Sequence, residues 1–351
     1  MNTVVIGGGI VGCHIALRLV SEGQEVFLLE KEAALGEHTS TRNSGVIHGG
    51  MYYPHGSLRA TLCVRGRHLT YEFLRKYEVP HLKCGKVIVA LNGDELKGLE
   101  GIKNLGDKNG VENLNWVDEK EIQKLEPRVR CIAGVHSPET GILDMAAYMR
   151  TMEKVLKASG VTIAKQCEVL SVSDHNTVTT GRGEIEADRV INAAGLYSDT
   201  IATLCGLEGY KIIPYKGDYY NTTEEVVRGL VYPVPDSVLS LGIHLTRTLG
   251  NEILIGPSVM KVEDKDDYEV RTPRQEFEQG ALALIPDMNV KKIYPGYSGN
   301  RPKVFYEGTL LTDFVIQKQE PGRVHLLGIE SPGMTAAPAI AEYVDDVLKR
   351  E

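Results

Sequence analysis

No stretch of this chain approaches the roughly 18 consecutive apolar residues that a membrane span requires, so the sequence carries no transmembrane segment. Positive charge is also scarce: 39 Lys and Arg against 47 Asp and Glu leave a net charge of −8. Nucleic acid is therefore not an expected partner, because binding phosphates relies on clustered Lys and Arg. The six cysteines, Cys13, Cys63, Cys84, Cys131, Cys167 and Cys205, include no C-x-x-C pair. They are expected as reduced thiols of a cytoplasmic protein, several of them buried. No His, Cys and Asp cluster has the spacing of a zinc or iron site, so no metal is expected. Internal repeats and low-complexity segments are missing too. The apolar amino end lacks a basic n-region and a small-residue cleavage site, and reads as a strand and not as a signal peptide. What is present is a 351-residue chain, 42% hydrophobic and 25% charged, long enough for two domains or one composite unit.

The informative residues begin at once. Thr3-Val4-Val5-Ile6 is a β-branched run suited to a strand buried on both faces. Gly7-Gly8-Gly9-Ile10-Val11-Gly12 follows, then Ile10, Val11, Ile15, Leu19 and Val20 at helical spacing, closed by Gly23. A second strand, Glu25 to Leu29, ends in the acid Glu30. Together these form a βαβ unit with G-x-G-x-x-G at Gly7, Gly9 and Gly12 and an acid roughly 20 residues on, the dinucleotide fingerprint. Gly7 permits the turn, Gly9 lets the backbone approach a pyrophosphate, and Gly12 lets helix and sheet pack closely. The helix start offers N–H groups and partial positive charge to phosphates, and Glu30 can accept from a ribose diol. Glycines and acid alone leave FAD and NAD equally open.

The rest of the chain narrows that choice. Residues 37–57 are dense in Gly, Ser, Thr, Asn and His and read as a ligand-contacting loop; a helix is predicted from about Ser57 to Tyr77 and a strand over 84–91. Residues 94–126 read as a charged helical excursion ending at Pro127. Asp144 is placed to cap a helix over 145–159. Strands are predicted at 161–163, 168–172 and 186–192, a Tyr-, Pro- and β-rich region at 210–306, a strand at 324–329 and a last helix from about Ala336 to Leu348. The predicted fold is α/β: a discontinuous, glutathione-reductase-like Rossmann domain (1–80, 142–209 and 307–351) that binds the dinucleotide, and a mixed-sheet-plus-helices substrate domain (81–141 and 210–306). An NAD dehydrogenase usually completes its nucleotide domain in one stretch, so the interrupted plan favours FAD.

Four further segments resemble the D-amino-acid-oxidase-like flavoenzyme superfamily: Ser40-Thr41-Arg42-Asn43-Ser44-Gly45-Val46-Ile47-His48-Gly49-Gly50, Val190 to Asp199, Asn300-Arg301-Pro302, and Gly328 to Thr335. Within it the chain is most similar to the L-2-hydroxyglutarate dehydrogenase branch. The match runs through Asn43 to His48, Tyr52-Tyr53, Ser57-Leu58-Arg59-Ala60, Cys63, Cys84-Gly85-Lys86-Val87-Ile88-Val89-Ala90, Lys216-Gly217-Asp218-Tyr219, Tyr232-Pro233-Val234-Pro235-Asp236, Leu241 to Thr246 and Asp313-Phe314. Arg59 stands where that family commonly has Lys, and Asp218 where it has Glu. The resemblance implies FAD as cofactor, held by Gly7, Gly9, Ile10, Val11, Gly12, Glu30 and Lys31, by Thr41, Arg42, Asn43, Ser44 and His48, by Val169, Ala194 and Gly195, and by Pro332, Gly333, Met334 and Thr335. It implies oxidation of an L-2-hydroxy acid, with L-2-hydroxyglutarate leading and 2-oxoglutarate its product.

That chemistry needs a hydride acceptor, a base for the hydroxyl proton and a clamp for the carboxylate. Flavin N5 would be the acceptor. His244, with Ile243 and Leu245 beside it, is the first candidate base; His48, in the flavin loop, is the second and more suited to packing against the ring. His14 is taken as structural. Arg301 is the expected clamp, because a guanidinium forks onto a carboxylate. Tyr52, Lys216, Tyr219 and Arg59 are candidates for the remaining substrate contacts. The rivals are sn-glycerol-3-phosphate dehydrogenase or oxidase, an amino-acid or amine oxidase, and a flavin-binding subunit without turnover. A phosphate substrate would be supported by a cluster of Arg and Lys, and the sequence offers only scattered ones. The expected partners are a small hydroxy acid and an acceptor that is oxygen, a quinone or an electron-transfer protein, in a cytoplasmic protein or one peripheral to a membrane.

Overall fold

The computed structural model describes residues 1–235 and 242–350; Asp236 and Leu241, quoted with the family motifs, lie outside the described residues. Its first large sheet has six strands in the order Val315–Gln319, Arg323–Leu327, Arg189–Asn192, Asn2–Ile6, Glu25–Leu29 and Thr162–Ala164. All pairs are parallel except the first. Buried parallel strands must be apolar on both faces, and alternation divides their side chains between two cores. Val5, Leu28, Ile191 and Leu326 join the helices Ile10–Ser21, Leu58–Lys76, Met145–Ala158 and Gly333–Lys349 in one core. Val4, Ile6, Leu29 and Val190 face a three-stranded meander (Val169–Val172, Thr177–Thr180, Gly183–Glu186) in the other.

The second large sheet has ten strands. Its spine is the antiparallel pair Tyr210–Thr222 and Tyr294–Tyr306, which sets Tyr215 opposite Arg301 and Gly217 opposite Gly299. Beyond it lie Ile253–Gly256, His244–Arg247, Leu230–Pro233, Lys86–Ala90, Ala133–Ser137 and Asn115–Asp118. One face packs Val87, Val89, Val231, Leu245 and Ile255 under the helix Arg274–Leu284. The opposite face carries Ile88, Leu230 and Tyr232 and, towards the spine, His244, Tyr219 and Arg301. A small sheet of Val46–Ile47, Gly141–Leu143 and His81–Leu82 joins the two large ones.

Most predicted elements appear within a residue or two. Asp144 caps its helix by accepting from the Ala147 N–H at 2.8 Å, and Ser57 caps the helix from Leu58. Three expectations need correction. Residues 94–126 are not one helical excursion: between the helices Leu96–Lys108 and Glu119–Leu125 lies the strand Asn115–Asp118, recruited to the sheet edge by Ala133–Ser137. The 210–306 region contains the helix Arg274–Leu284, whose Phe277, Ala281 and Leu284 bury against the sheet. The last helix starts at Gly333 and not near Ala336, so its N-terminus reaches the cleft described next.

Candidate active site

A cleft of about 270 Å³ lies between the glycine loop and the ten-stranded sheet. The glycine loop forms one end. Gly7 has φ +109°, and a side chain on Gly12 would place its Cβ 2.0 Å from the Gly7 carbonyl oxygen, so only glycine allows turn and helix to meet. Gly9, Ile10 and Val11 line the cleft. Some of the donors expected for phosphates are already held: Ser40 Oγ accepts from Ile10 N–H at 2.9 Å, and the Gly8 N–H donates to Glu30 at 2.7 Å. The other Glu30 oxygen accepts from Glu32 N–H at 2.8 Å. Glu30 therefore first braces the loop, and a ribose would share a carboxylate that already has two backbone donors.

The loop over 39–48 forms the floor. Asn43 shapes it, donating to the carbonyls of Thr39 and Ser40 and accepting from Gly45 N–H. The spine strand closes on it. Gly299 passes so near that an added Cβ would sit 1.9 Å from the Arg42 carbonyl oxygen, and Tyr297 donates its hydroxyl to the Asn43 carbonyl at 2.7 Å. Arg42, Asn43, Ser44, Gly195, Pro332, Gly333 and Met334 all reach the wall, as the sequence led us to expect. Thr41, Glu30, Lys31, Val169 and Ala194 do not. Thr41 donates to the Gly36 carbonyl, Val169 is buried beside Ile6 and Leu29, and Lys31 lies over the Tyr197 ring at 3.4 Å. Thr335 serves the loop with its side chain. It is fully buried, and its hydroxyl accepts from His48 N–H at 3.0 Å, tying the loop to the last helix.

At the far end His244 and Arg301 come together from separate strands. The His244 Nδ1 lies 2.9 Å from the Gly242 carbonyl, an acceptor, which places the proton on Nδ1 and leaves Nε2 as the acceptor. Its ring stacks on Tyr232, centroids 3.7 Å apart. Burial, with the positive charges of Lys86 and Arg301, pulls His244 down to about 3. Among the described residues Arg301 Nη1 is buried with no hydrogen-bond partner, as are His48 Nδ1 and Tyr52 Oη on the same wall. His48 is likewise held well below its ordinary value, by burial first and then by Lys86 and His244. Tyr219 lines the cleft, stacked on Tyr297 at 4.9 Å.

Lys216 is not in this wall. Strand alternation turns it and Asp218 away from Gly217 and Tyr219, and its ammonium is fully buried on Asp267 at 3.1 Å and the Glu269 carbonyl at 2.6 Å. Asp218 accepts from Arg271 N–H and from Thr272 N–H and hydroxyl, so its departure from the family's Glu concerns a loop anchor. Arg59 does reach the cleft, but it is spent on Glu330 at 2.7 Å, as is Lys303 at 2.6 Å. Burial pushes Glu330 up, yet Arg59 and Lys303 outweigh it and hold its carboxyl below the usual range.

The basic residues that look scattered along the chain thus converge: Arg42, Arg59, Arg301 and Lys303 share one wall. Two of the four are compensated by Glu330, and the Arg42 guanidinium lies over the Tyr268 ring at 4.0 Å. Sequence reasoning missed Lys303, and it quoted Ser40, Tyr232, Glu330 and Lys86 only as parts of motifs. A lysine opening the apolar strand Val87-Ile88-Val89-Ala90 was a visible anomaly. The glycine cradle and the orphaned buried donors fit a dinucleotide with a flavin ring: the cradle would hold its pyrophosphate, and Ser44, His48, Pro332 and Met334 would be the residues offered to the ring.

Comparison with known proteins agrees with this geometry. The family profile described as FAD dependent oxidoreductase matches residues 2–347. The chain is 35% identical to the mitochondrial L-2-hydroxyglutarate dehydrogenase of Arabidopsis thaliana, covering 100% of this chain and 84% of that protein. It is 29% identical to the L-2-hydroxyglutarate dehydrogenase of Escherichia coli K12, over 97% and 91% of the two chains. Among solved structures, a dithionite-reduced L-alpha-glycerophosphate oxidase from Mycoplasma pneumoniae with FAD bound superposes with a TM-score of 0.89 at 26% identity, covering 100% and 95%. The cradle, the loop and the full-length match lead to one conclusion: this chain belongs to the FAD dependent oxidoreductase family.

Proposed function

We propose that this protein oxidises L-2-hydroxyglutarate to 2-oxoglutarate. The observation that carries the proposal is the pairing of His244 and Arg301 on one cleft wall, one offering an unprotonated Nε2 and the other an unpaired guanidinium nitrogen. Arg301 takes the carboxylate next to the reacting carbon in charge-assisted hydrogen bonds. His244 accepts the hydroxyl proton as C2 gives up its hydride. FAD, when bound, supplies the acceptor of that hydride. The arriving carboxylate also offsets one of the positive charges that depress His244, so substrate binding makes the base stronger where it is needed. Tyr219 and Tyr52 offer further polar edges to the substrate. His48, braced by Thr335, positions the loop and faces the ring.

The relatives named for L-2-hydroxyglutarate support this substrate. The same reading assigns residues 1–80, 142–209 and 307–351 to the cofactor and 81–141 and 210–306 to the substrate. No helix among the described residues is long and apolar enough to cross a membrane. We place the protein in the cytoplasm or peripheral to a membrane, with oxygen, a quinone or an electron-transfer protein as electron acceptor. A glycerol phosphate substrate is the second reading, favoured by the four cations on the wall. Anaerobic mixing of holoenzyme with each candidate separates the two. Bleaching of the flavin band by L-2-hydroxyglutarate and not by glycerol phosphate is expected, and the reverse pattern would overturn the assignment.

A further inference from the structure

Lys86 is a buried amine with no counter-charge among the described residues, and burial pulls its ammonium from the usual 10.5 down to about 7. Its side chain is 1% exposed, and its Nζ has no hydrogen-bond partner among the described residues. It opens the strand Lys86–Ala90, whose parallel register with Leu230–Pro233 puts it two residues before the partner of Tyr232 on the same face. The ammonium lies 3.9 Å from the centroid of the Tyr232 ring and 5.5 Å from that of Tyr52. Both rings line the cleft, and Lys86, which does not itself reach the wall, lies against them. Tyr52 Oη is itself buried and unpartnered. Aromatic faces hold a cation weakly and leave its three N–H donors unsatisfied, and a buried, unmet donor is costly. The buried donors Lys86 Nζ, Tyr52 Oη and Arg301 Nη1, unpartnered among the described residues, are what a dianion would satisfy.

We propose that Lys86 and Tyr52 form the subsite for the second carboxylate of a dicarboxylic substrate, with Arg301 holding the first. The assignment deepens the proposed function and rests on it for the identity of the substrate. It moves the role that the sequence suggested for Lys216 to Lys86, on another strand of the same sheet. A second carboxylate beside Lys86 favours its charged form and is neutralised by it, whereas a monocarboxylate supplies nothing to offset the burial that disfavours the ammonium. The groups facing that charge are Tyr52, Tyr232, His48, His244, Cys63 and Cys84. None of them is a carboxylate. Selection against shorter or uncharged-tail hydroxy acids follows from the unmet charge and needs no steric wall.

The test uses the holoenzyme and two redox-inert probes, glutarate and butyrate, read by perturbation of the flavin absorbance. Wild type is expected to bind glutarate far more tightly than butyrate. Lys86→Met, close in shape and free of the buried charge, is expected to weaken glutarate about 10- to 100-fold, the loss of a charged hydrogen bond, and to leave butyrate unchanged. Tyr52→Phe, which keeps the ring, should weaken glutarate in the same direction by a smaller factor and serves alone if the lysine variant does not fold. The kcat/KM ratio of L-2-hydroxyglutarate to L-2-hydroxybutyrate should fall with the glutarate affinity. If both variants keep the wild-type preference for glutarate, the subsite is not here. If L-2-hydroxyglutarate fails to reduce the wild-type flavin while glutarate binding still depends on Lys86, the functional reading falls and the subsite stands.

Discussion

His244 and Arg301 sit 57 residues apart in sequence, yet both project from neighbouring parts of one sheet, and their separate tasks can be measured separately. Replacing His244 with Ala removes the proton acceptor, so the rate of flavin reduction by L-2-hydroxyglutarate should fall at least about 100-fold. Binding of unreactive glutarate should change little. His48→Ala should act mainly on cofactor retention; if it alone slowed reduction, the base would have to be His48. Arg301→Ala removes a charged contact made before the reaction begins, and KM should rise about 10- to 100-fold. An unchanged KM would remove Arg301 from the clamp role. Lys216 gives the converse check. Bound to Asp267 and Glu269 on the far side of its strand, it should affect stability when replaced by Met, with the substrate preference intact.

The elements matter through their close approaches. The spine strand meets the loop over 39–48 at Gly299, where a methyl group would lie 1.9 Å from the Arg42 carbonyl oxygen. That neighbour is backbone and cannot swing aside. Gly299→Ala should cost roughly 1–3 kcal/mol and displace the loop that carries Asn43, Ser44 and His48. A lowered melting temperature together with a lowered flavin-to-protein ratio is the expected result, and full flavin content would show that the loop tolerates the shift. Thr335 is a gentler version of the same dependence. Thr335→Val removes the acceptor for His48 N–H, and roughly 1 kcal/mol of stability should go with it.

Across the molecule, buried neutral histidines contribute to the response to acid. Burial pulls both His14 and His244 from their ordinary 6.5 to about 3. Between those values the unfolded chain binds more protons than the folded one, so stability is lost as pH falls through 6.5 and continues to fall until about 3. Each such histidine contributes a slope of about 1.4 kcal/mol per pH unit. His14 touches only its own core, with Nε2 2.6 Å from the Tyr148 hydroxyl, so His14→Gln should flatten the pH dependence of urea unfolding without moving the flavin spectrum. A slope unchanged from pH 6 to 4 would mean that His14 is not the group responsible.

Local patterns were enough for the βαβ unit, for the caps at Ser57 and Asp144 and for the family likeness, because a tight turn, a phosphate-facing helix start and a helix cap each depend on residues a few positions apart. The strand Asn115–Asp118 and the helix Arg274–Leu284 were not legible, since each is stabilised by a partner far along the chain that the local pattern does not contain. The site divides in the same way. Gly7, Gly12, His48, His244 and Arg301 could be named from residue type and motif. That Lys216 lies away from the cleft and Lys86 against two of its tyrosines could not, because strand alternation buries Lys216 on Asp267 and the pairing of Lys86–Ala90 with Leu230–Pro233 sets Lys86 against Tyr232 and Tyr52. By itself the sequence determined the cofactor fold and the kind of chemistry, both written in short-range spacing. Only the tertiary structure decided which charges are spent on Glu330 and which remain for a substrate, because long-range pairing alone brings a carboxylate to two cations and leaves a third without one.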